Sequence, residues 1–317
     1  METYDHLLKN SPSWVRYLVL RDLAGATLTE LQGLHSQVFE EPYVQGLLAA
    51  VKNFHVLIVS GHKSPSLNVN KLLMLQSLDF GLETPQIETA MELILAQRDN
   101  QGVYRSRCLV STSYGGTGLP DFGWALCDAP LLLLAVFQAG MDYTEYVKPG
   151  LDALSSLQFE KGFPCAVSKE LGKWRGPGRK SDPCPIATLW MLRLFAALPS
   201  LRDSAQARSA AEAILSLWEH SWEEHPYMFS MGTDFRKLKA PAVWYDIVSV
   251  CDVLRQLPWL SEDSRFQQMK QVILAKQNEE GLFTPESIYL ACKAEDFGQK
   301  KLPSAYLSFL CQRILHN

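Results

Sequence analysis

Hydrophobic residues are grouped in segments that are apolar around nearly the whole circumference of a helix. The clearest example runs from Ser181 to Pro199, SDPCPIATLWMLRLFAALP, which opens with a turn and continues almost without polar residues. Such a helix is buried on every side, because exposed apolar surface costs roughly 25 cal/mol per Å². The pattern predicts a repeat of buried helices. One further buried helix, from Trp14 to Leu23, precedes the repeated ones. The repeated segments begin at intervals of 60 residues, near Ser64, Trp124, Cys184, Trp244 and Ser304.

Amphipathic helices are predicted between the buried ones. Three of them end in a glutamine followed by turn residues and a glycine, in the segments QRDNQGVY, QFEKGF and QNEEGLF. Glycine at this position takes the left-handed conformation that ends many helices. Helix pairs repeated along the chain predict one domain spanning residues 1–317. The predicted amphipathic spans are Thr27 to Val51, Gln86 to Gln97, Tyr143 to Gln158, Ser204 to Trp218 and Glu262 to Gln277.

Composition narrows the class of protein. The chain is 47% hydrophobic and 20% charged with a net charge of −4, which favours a large core and gives no sign of general polyanion binding. Basic and aromatic residues do not interleave, so nucleic acid is not an expected partner. Seven cysteines without CxxC pairs indicate free thiols in a reducing compartment. With no signal peptide and no apolar stretch of membrane-spanning length, we expect a cytoplasmic protein without indicated membrane-surface contact.

The repeated glutamine-to-glycine turns resemble a shortened form of the repeat found in the squalene-cyclase and protein prenyltransferase superfamily. The closing segment DFGQKKLPSAYLSFLCQRIL is similar to the last inner helix of bacterial squalene-cyclase-like proteins. The resemblance covers nearly the whole chain. It implies an all-α fold of the α/α toroid type, with about six inner helices around a central cavity and five to six outer helices.

The catalytic motifs of that superfamily are mostly missing. The chain contains no DxDD, no DDxxD, no GCGEQ and no Cys-His-Gly. Asp182-Pro183-Cys184 has the D-x-C spacing of a prenyltransferase zinc site, but the matching region PSAYLSFLC lacks the histidine. Zinc needs a third protein ligand, so Asp182 is better interpreted as a helix cap. The sequence therefore predicts no metal and no cofactor.

Polar residues recur four positions into the buried helices, at Asn68, Asp128, Thr188 and Ser308, with Val248 at the fifth equivalent position. In a closed toroid they would form one ring around the lumen. An unpaired buried polar group costs about 1–3 kcal/mol, so the ring needs partners. Two interpretations stay open, namely hydrogen bonds or water within a closed core, and a cavity that binds a ligand.

Two carboxylates, Asp128 and Asp246, are the candidate catalytic acids or bases, whereas Asp252 is expected to pair with Arg255 or Arg193. Asp128 lies in WALCDAPLLLL with no cation nearby in the sequence. Asp246 lies two residues inside the start of the fifth buried segment, where the helix dipole stabilises a carboxylate, so the alternative for Asp246 is a structural cap.

Basic residues gather in the loops that lead into the buried helices, where an anion would also meet helix N-termini. An anionic head group is expected to bind there, unless these loops are ordinary solvated surface. The candidate head-group residues are Arg175, Arg179, Lys180, Arg236 and Lys237. The apolar body of the ligand is expected among Trp14, Trp124, Trp190, Trp244, Tyr245 and Tyr306.

These observations predict a toroid that binds or transforms a small, largely apolar, isoprenoid-like ligand with an anionic or phosphorylated head. Two alternatives stay open, a carbohydrate-active hydrolase or lyase using Asp128 and Asp246, and a non-catalytic interaction scaffold. An open apolar chamber would favour the isoprenoid-like ligand. A polar cleft would favour the carbohydrate-active alternative, and a filled centre would favour the interaction scaffold.

Overall fold

The computed structural model describes residues 4–173, 176, 178–179 and 181–316. The described helices are, in chain order, α1 (Asp5–Asn10), α2 (Ser13–Asp22), α3 (Leu28–Glu40), α4 (Pro42–Val51), α5 (Asn68–Gln76), α6 (Pro85–Leu95), α7 (Ala129–Gln138), α8 (Lys148–Ser155), α9 (Pro185–Ala197), α10 (Ala205–Glu219), α11 (Ile247–Leu254), α12 (Ser264–Leu274) and α13 (Ala305–Leu315).

The buried helices form the inner layer of the molecule. Helix α5 packs on α7, α7 on α9, α9 on α11 and α11 on α13, while α13 packs on α2 and so brings the last helix to the first. Helices α3, α10 and α12 each pack against the inner helix that precedes them in the chain. This arrangement of inner and outer helices is that of an α/α toroid, as the sequence predicts.

The inner helices begin close to the predicted positions. Cys184 and Ser304 are the N-cap residues of α9 and α13, and the Ser304 hydroxyl accepts a hydrogen bond from Leu307 N at 3.1 Å. The largest difference is at Trp124, since α7 begins only at Ala129. Residues 124–128 are held outside the helix because Ala125 forms a β-bridge with Val167.

The predicted helix from Thr27 to Val51 is in fact two helices. Thr27 forms a capping box with Glu30 at the start of α3. The helix ends before Pro42, which has no N–H to donate within a helix and clashes with the preceding turn. Pro42 instead begins α4, which packs against α5.

A small β-hairpin between α6 and α7 is absent from the prediction, which placed loops there. Strand β1 (Ser106–Leu109) pairs antiparallel with β2 (Pro120–Gly123), with Ser106 opposite Gly123. Val59 joins the edge of this hairpin through a parallel bridge to Cys108. The hairpin thereby anchors the segment that leads to α5.

Helix α9 is buried along nearly its whole length. From Pro185 to Ala196 every residue except Arg193 is buried. The apolar pattern of the Ser181 to Pro199 segment therefore predicted the burial of this helix correctly, and Arg193, the one charged residue of α9, lies at the site described below. Within the described part of the chain, no helix is both long and apolar enough to cross a membrane.

Candidate functional site

A cavity of about 730 Å³ lies between the inner helices, with lining residues from α2, α4, α5, α7, α9, α11 and α13. A volume of this size is typical of small-molecule sites. Its wall is polar, because charged side chains from several helices converge on it and amide side chains lie between them. The charged lining residues are Arg21, Asp22, Lys71, Asp79, Arg193, Asp252, Arg255, Glu295 and Arg313.

Several of these charges form a network across the inner helices. Arg313 on α13 donates from Nη2 to Asp252 Oδ1 at 2.8 Å and from Nη1 to Asp22 Oδ2 at 2.9 Å. Arg255 Nε donates to the same Asp252 oxygen at 2.8 Å. Burial alone would raise the pKa of Asp252, but Arg313 and Arg255 hold it below its usual range. Asp252 is therefore a fixed negative charge between two guanidinium groups.

The same network of charged side chains includes residues of α2 and an aspartate in the turn that follows α5. Arg21 Nε lies 2.7 Å from Asp22 Oδ1, and Arg21 Nη1 lies 3.1 Å from Asp79 Oδ1. The Tyr17 hydroxyl donates to the other Asp79 oxygen at 2.6 Å. The three aspartates of the cavity wall are thus each paired with arginine.

Arg193 differs from the other arginines of the cavity. Its guanidinium makes no hydrogen bond to any described residue, and its centre lies 5.6 Å from the ring of Trp190 on the same helix. Burial lowers its pKa, while the nearby charge of Asp252 acts in the opposite direction. An arginine carries five N–H donors, so Arg193 has donors available to a ligand in the cavity.

Glu295 is the cavity carboxylate that is not paired with arginine. It precedes α13 and is half-buried at the cavity wall. Burial raises its pKa, and the neighbouring charge of Asp296 raises it further. A carboxyl group in this environment holds its proton more strongly than a solvated one.

The predicted polar ring makes internal hydrogen bonds. The Thr188 hydroxyl accepts from Phe163 N at 3.0 Å, and the Ser308 hydroxyl accepts from Phe283 N at 2.8 Å. Asn68 Nδ2 donates to Phe54 O at 3.0 Å. Each side chain thus secures the turn or loop that leads into its own repeat. Val248 is buried in α11.

These contacts also explain one of the glycines in the repeated turns. Gly162 has φ of +112°, and a Cβ atom there would lie 2.8 Å from Thr188 Oγ1. Glycine avoids both the backbone strain and the close contact. The turn that resembles the superfamily repeat is therefore explained by packing against the next inner helix.

Asp128, the fourth member of the ring and the first catalytic candidate, is paired with a histidine. His62 Nδ1 lies 2.6 Å from Asp128 Oδ2, and Asp128 is only 3% exposed. Burial opposes a charge on the imidazole, but the Asp128 carboxylate raises the pKa of His62 well above its usual value. Neither residue lines the central cavity.

Asp246, the second catalytic candidate, caps α11. Its Oδ1 accepts from Ser249 N at 2.9 Å, whereas its buried Oδ2 has no hydrogen-bond partner among the described residues. Burial raises the pKa of Asp246 to about 7. The capping role that the sequence suggested is present in the structure, and Asp246 does not line the cavity.

Most of the aromatic residues predicted to contact the ligand pack against other side chains of the protein. Among the described candidates, Tyr306 lines the cavity, with its ring 4.9 Å from that of Trp14. Trp190 is fully buried in α9. Trp244 and Tyr245 both pack on Phe229, and Trp124 is half-buried beside the core.

Those predicted basic contacts that the structure describes do not line the cavity. Arg236 lies between Trp218 and Trp222, at 4.6 and 5.1 Å from their ring centroids, and Lys237 pairs with Asp234 at 2.6 Å. Arg179 is exposed, and its backbone N–H donates to Asp182. Arg175 and Lys180 lie outside the described residues.

Sequence reasoning expected Asp252 to pair with Arg255 or Arg193, and the Arg255 pair is present, but it missed the cavity that these charges line, although a signal for it exists. Arg193 stands alone in LWMLRLFAAL, Asp252 in VCDVL and Arg313 in FLCQRIL. Arg193 and Arg313 are also 120 residues apart, which is twice the repeat period. A lone charge in an otherwise buried helix must face a partner or a cavity, because isolated buried charges are very costly.

The fold and the cavity define an α/α toroid whose inner helices enclose a polar chamber. No protein-family model and no curated protein sequence matches the chain. An unsaturated glucuronyl hydrolase specific for heparin is similar in structure, with a TM-score of 0.56 and 12% identity over 96% of this chain and 83% of that one. An unsaturated glucuronyl hydrolase variant with the oligosaccharide dGlcA-Glc-Rha-Glc gives a TM-score of 0.50 and 12% identity over 96% and 84%.

A type II terpene cyclase from Scytonema in complex with merosterolic acid A gives a TM-score of 0.42 and 11% identity over 96% of this chain and 86% of that one. This similarity is too weak to support a function. The two glucuronyl hydrolases confirm the α/α toroid fold that the superfamily resemblance implies, and at 12% identity their likeness extends to the fold alone.

Proposed function

We propose that the central cavity binds a small, anionic, hydroxyl-bearing molecule, and that this ligand is a carboxylated saccharide of the uronate type. The observation that carries the proposal is Arg193, a guanidinium in the cavity wall without a hydrogen bond to the described residues. A carboxylate fits the fork of an arginine through two parallel hydrogen bonds.

The polarity of the cavity favours a saccharide over an isoprenoid chain. Amide side chains that can bind hydroxyl groups lie in the wall beside the charged ones, at Asn70, Gln76, Gln138 and Gln256. An apolar chain would remove these groups from water without replacing their hydrogen bonds, at about 1–3 kcal/mol each. The carbohydrate alternative is therefore better supported than the isoprenoid one.

Aromatic surface is also available to the ligand. Tyr43 and Tyr306 are part of the wall, and both pack against Trp14, with ring centroids 4.8 and 4.9 Å from it. This packing holds the two tyrosines in place. The two glucuronyl hydrolases are named for saccharides of this class, which makes uronates the first ligands to test.

Glu295 is the proposed proton donor for any cleavage of the bound saccharide. Its raised pKa favours the protonated form that a general acid needs. Asp252 does not suit this role, because its two arginine partners keep it ionised. Asp128 and Asp246 lie away from the cavity wall and are not part of the proposed acid-base chemistry.

The proposal is tested by titration calorimetry with three ligands: a uronate disaccharide, its neutral counterpart and an isoprenoid diphosphate. We expect the uronate to bind best and Arg193→Gln to weaken its binding by about 10- to 100-fold, the value of a charge-assisted hydrogen bond. Binding of the neutral sugar should not change. Arg208→Gln is the control, because Arg208 pairs with Asp203 on the surface and does not line the cavity.

Preferred binding of the isoprenoid, or equal uronate affinity in Arg193→Gln and the native protein, would contradict the proposal. Analysis of the reaction products formed by Glu295→Gln distinguishes an effect on ligand binding from an effect on cleavage of the saccharide. We expect this variant to keep the uronate affinity of the native protein and to lose turnover.

A further inference from the structure

A second cluster of functional side chains lies outside the central cavity. One ligand atom from each of His62, Cys127 and Asp128 lies within 4.8 Å of the others. His62 belongs to the segment before α5, and the other two residues immediately precede α7. Two successive repeats therefore bring a nitrogen, a sulfur and a carboxylate oxygen to one place, and both Cys127 and Asp128 are buried.

One atom of this cluster lacks a partner. Asp128 Oδ1 is buried and has no hydrogen-bond partner among the described residues. Asp128 is the N-cap residue of α7, but its side chain makes no capping hydrogen bond. A buried carboxylate oxygen without a partner is costly, and a bound cation would satisfy it.

We propose that His62, Cys127 and Asp128 bind a divalent transition metal, with zinc as the preferred ion. Zinc takes histidine nitrogen, cysteine sulfur and carboxylate oxygen at about 2.0–2.3 Å, which places neighbouring ligands of a tetrahedral site about 3.3–3.8 Å apart. The observed cluster is compact enough for this geometry. The 2.6 Å contact between His62 and Asp128 would open by about an ångström as both groups turn to the ion.

The fourth position of the ion would be available to water. A small cavity of about 20 Å³ lies beside Asp128, between Asn68 and Ser106. A space of this size holds about one water molecule. Of the three proposed ligands Asp128 lines this space, and three protein ligands with water in the fourth position would be typical of catalytic rather than structural zinc sites.

This site differs from the one that the sequence suggested and set aside. The Asp182 carboxylate accepts a hydrogen bond from Arg179 N at 2.8 Å, and Cys184 is the N-cap of α9. Neither belongs to the cluster. The metal proposal also does not rest on the saccharide proposal, because the central cavity contains none of the three ligands.

Metal analysis of the purified protein tests the proposal, followed by replacement of the metal with Co²⁺. We expect about one equivalent of zinc and, in the cobalt form, a thiolate-to-metal charge-transfer absorption. Cys127→Ala, His62→Gln and Asp128→Asn should each weaken cobalt binding by at least roughly tenfold. Cys127→Ala should also abolish the charge-transfer absorption.

Cys251→Ala is the matched control, because it makes the same change at a buried thiol in α11 outside the cluster. It should keep the metal content and the spectrum of the native protein. Native protein that neither retains zinc nor gives a charge-transfer band with cobalt overturns the proposal. A charge-transfer band that persists in the cobalt form of Cys127→Ala also overturns the proposal. If Cys127→Ala does not fold, His62→Gln, which keeps every thiol, and the native cobalt spectrum decide the question.

Discussion

Arg313 Nη1 lies 2.9 Å from Asp22 Oδ2, and this ion pair joins the last inner helix to the first across 291 residues of sequence. The second arm of the same guanidinium binds Asp252 on α11 at 2.8 Å. One side chain therefore connects three inner helices at the wall of the central cavity. Its charge is balanced on both sides, which makes a buried arginine tolerable there.

Removal of this arginine charge is expected to destabilise the fold. Arg313→Gln leaves Asp22 and Asp252 with one arginine partner each, in a region where their side chains are only 19% and 14% exposed. Breaking a buried ion pair from one side costs about 3–5 kcal/mol. We expect a loss of that order in the free energy of unfolding, measured by chemical denaturation.

Lys148→Gln is the control for this prediction. Lys148 also pairs with an aspartate, Asp152, but the two side chains are 50% and 61% exposed. Exposed pairs contribute about 0–1 kcal/mol, so the control should be nearly neutral. Equal effects of the two substitutions would show that the Arg313 network does not stabilise the fold.

The stability of the protein is expected to depend on pH through Asp246. Burial raises the pKa of its carboxyl group from 3.8 to about 7 in the folded state. Below pH 3.8 both states are protonated, and the group has no effect on stability. As the pH rises from there to about 7 the unfolded state ionises first, so stability falls, and above pH 7 the loss is complete.

Asp246→Asn should remove this dependence while keeping an oxygen for the N–H of Ser249. The stability of the variant relative to the native protein should rise between pH 5 and pH 8 by on the order of 2–3 kcal/mol. Denaturation curves at the two pH values measure the difference. Asp142→Asn, at an exposed cap that accepts from Glu145 N, should give no such rise. Parallel pH profiles of native protein and Asp246→Asn would contradict the prediction.

Charge reversal should change the stability of the protein at one of the basic residues expected to bind an anionic head group, Arg236, and not at another, Arg179. Arg236 lies against Trp218 and Trp222, and its Nε donates to Met231 O at 3.1 Å. Arg236→Glu loses these contacts, so we expect the free energy of unfolding to fall by about 1–3 kcal/mol. Arg179→Glu changes an exposed side chain and should stay within about 0.5 kcal/mol.

Thermal melting of the two variants compares them directly. The sequence by itself predicts that both reversals weaken binding of an anion and leave stability nearly unchanged. Unchanged melting of Arg236→Glu, together with weaker uronate binding, would restore the interpretation of Arg236 as a ligand contact.

The repeat of buried and amphipathic segments predicted a helical repeat domain, and the resemblance of its turns to the superfamily predicted the toroid. Helices such as α9 and α13 begin within one residue of Cys184 and Ser304, since an apolar run that follows a turn or capping residue has few other stable conformations. The hairpin of β1 and β2 could not be predicted in this way. Its strands are four residues long and depend on pairing with each other rather than on a strong pattern of their own.

The candidate site followed from the sequence only in part. Although Asp128 precedes α7 and Asn68 begins α5, whereas Thr188 and Ser308 lie inside α9 and α13, repeat equivalence correctly marked all four as buried polar residues. It did not reveal their partners. The backbone N–H groups of Phe163 and Phe283 come from turns 25 residues earlier, and His62 comes from the preceding repeat.

The sequence by itself determined the helical repeat and the burial of the inner helices, because periodicity and apolar content act locally on each segment, while the toroid was predicted from the resemblance of the repeated turns to the superfamily. Only the tertiary structure decided which charges face the cavity and which side chains meet. Arg193, Asp252 and Arg313 lie on three different helices, and their common location depends on how those helices pack. Contacts between distant segments depend on distance in space, and one sequence without its fold contains no direct measure of that distance.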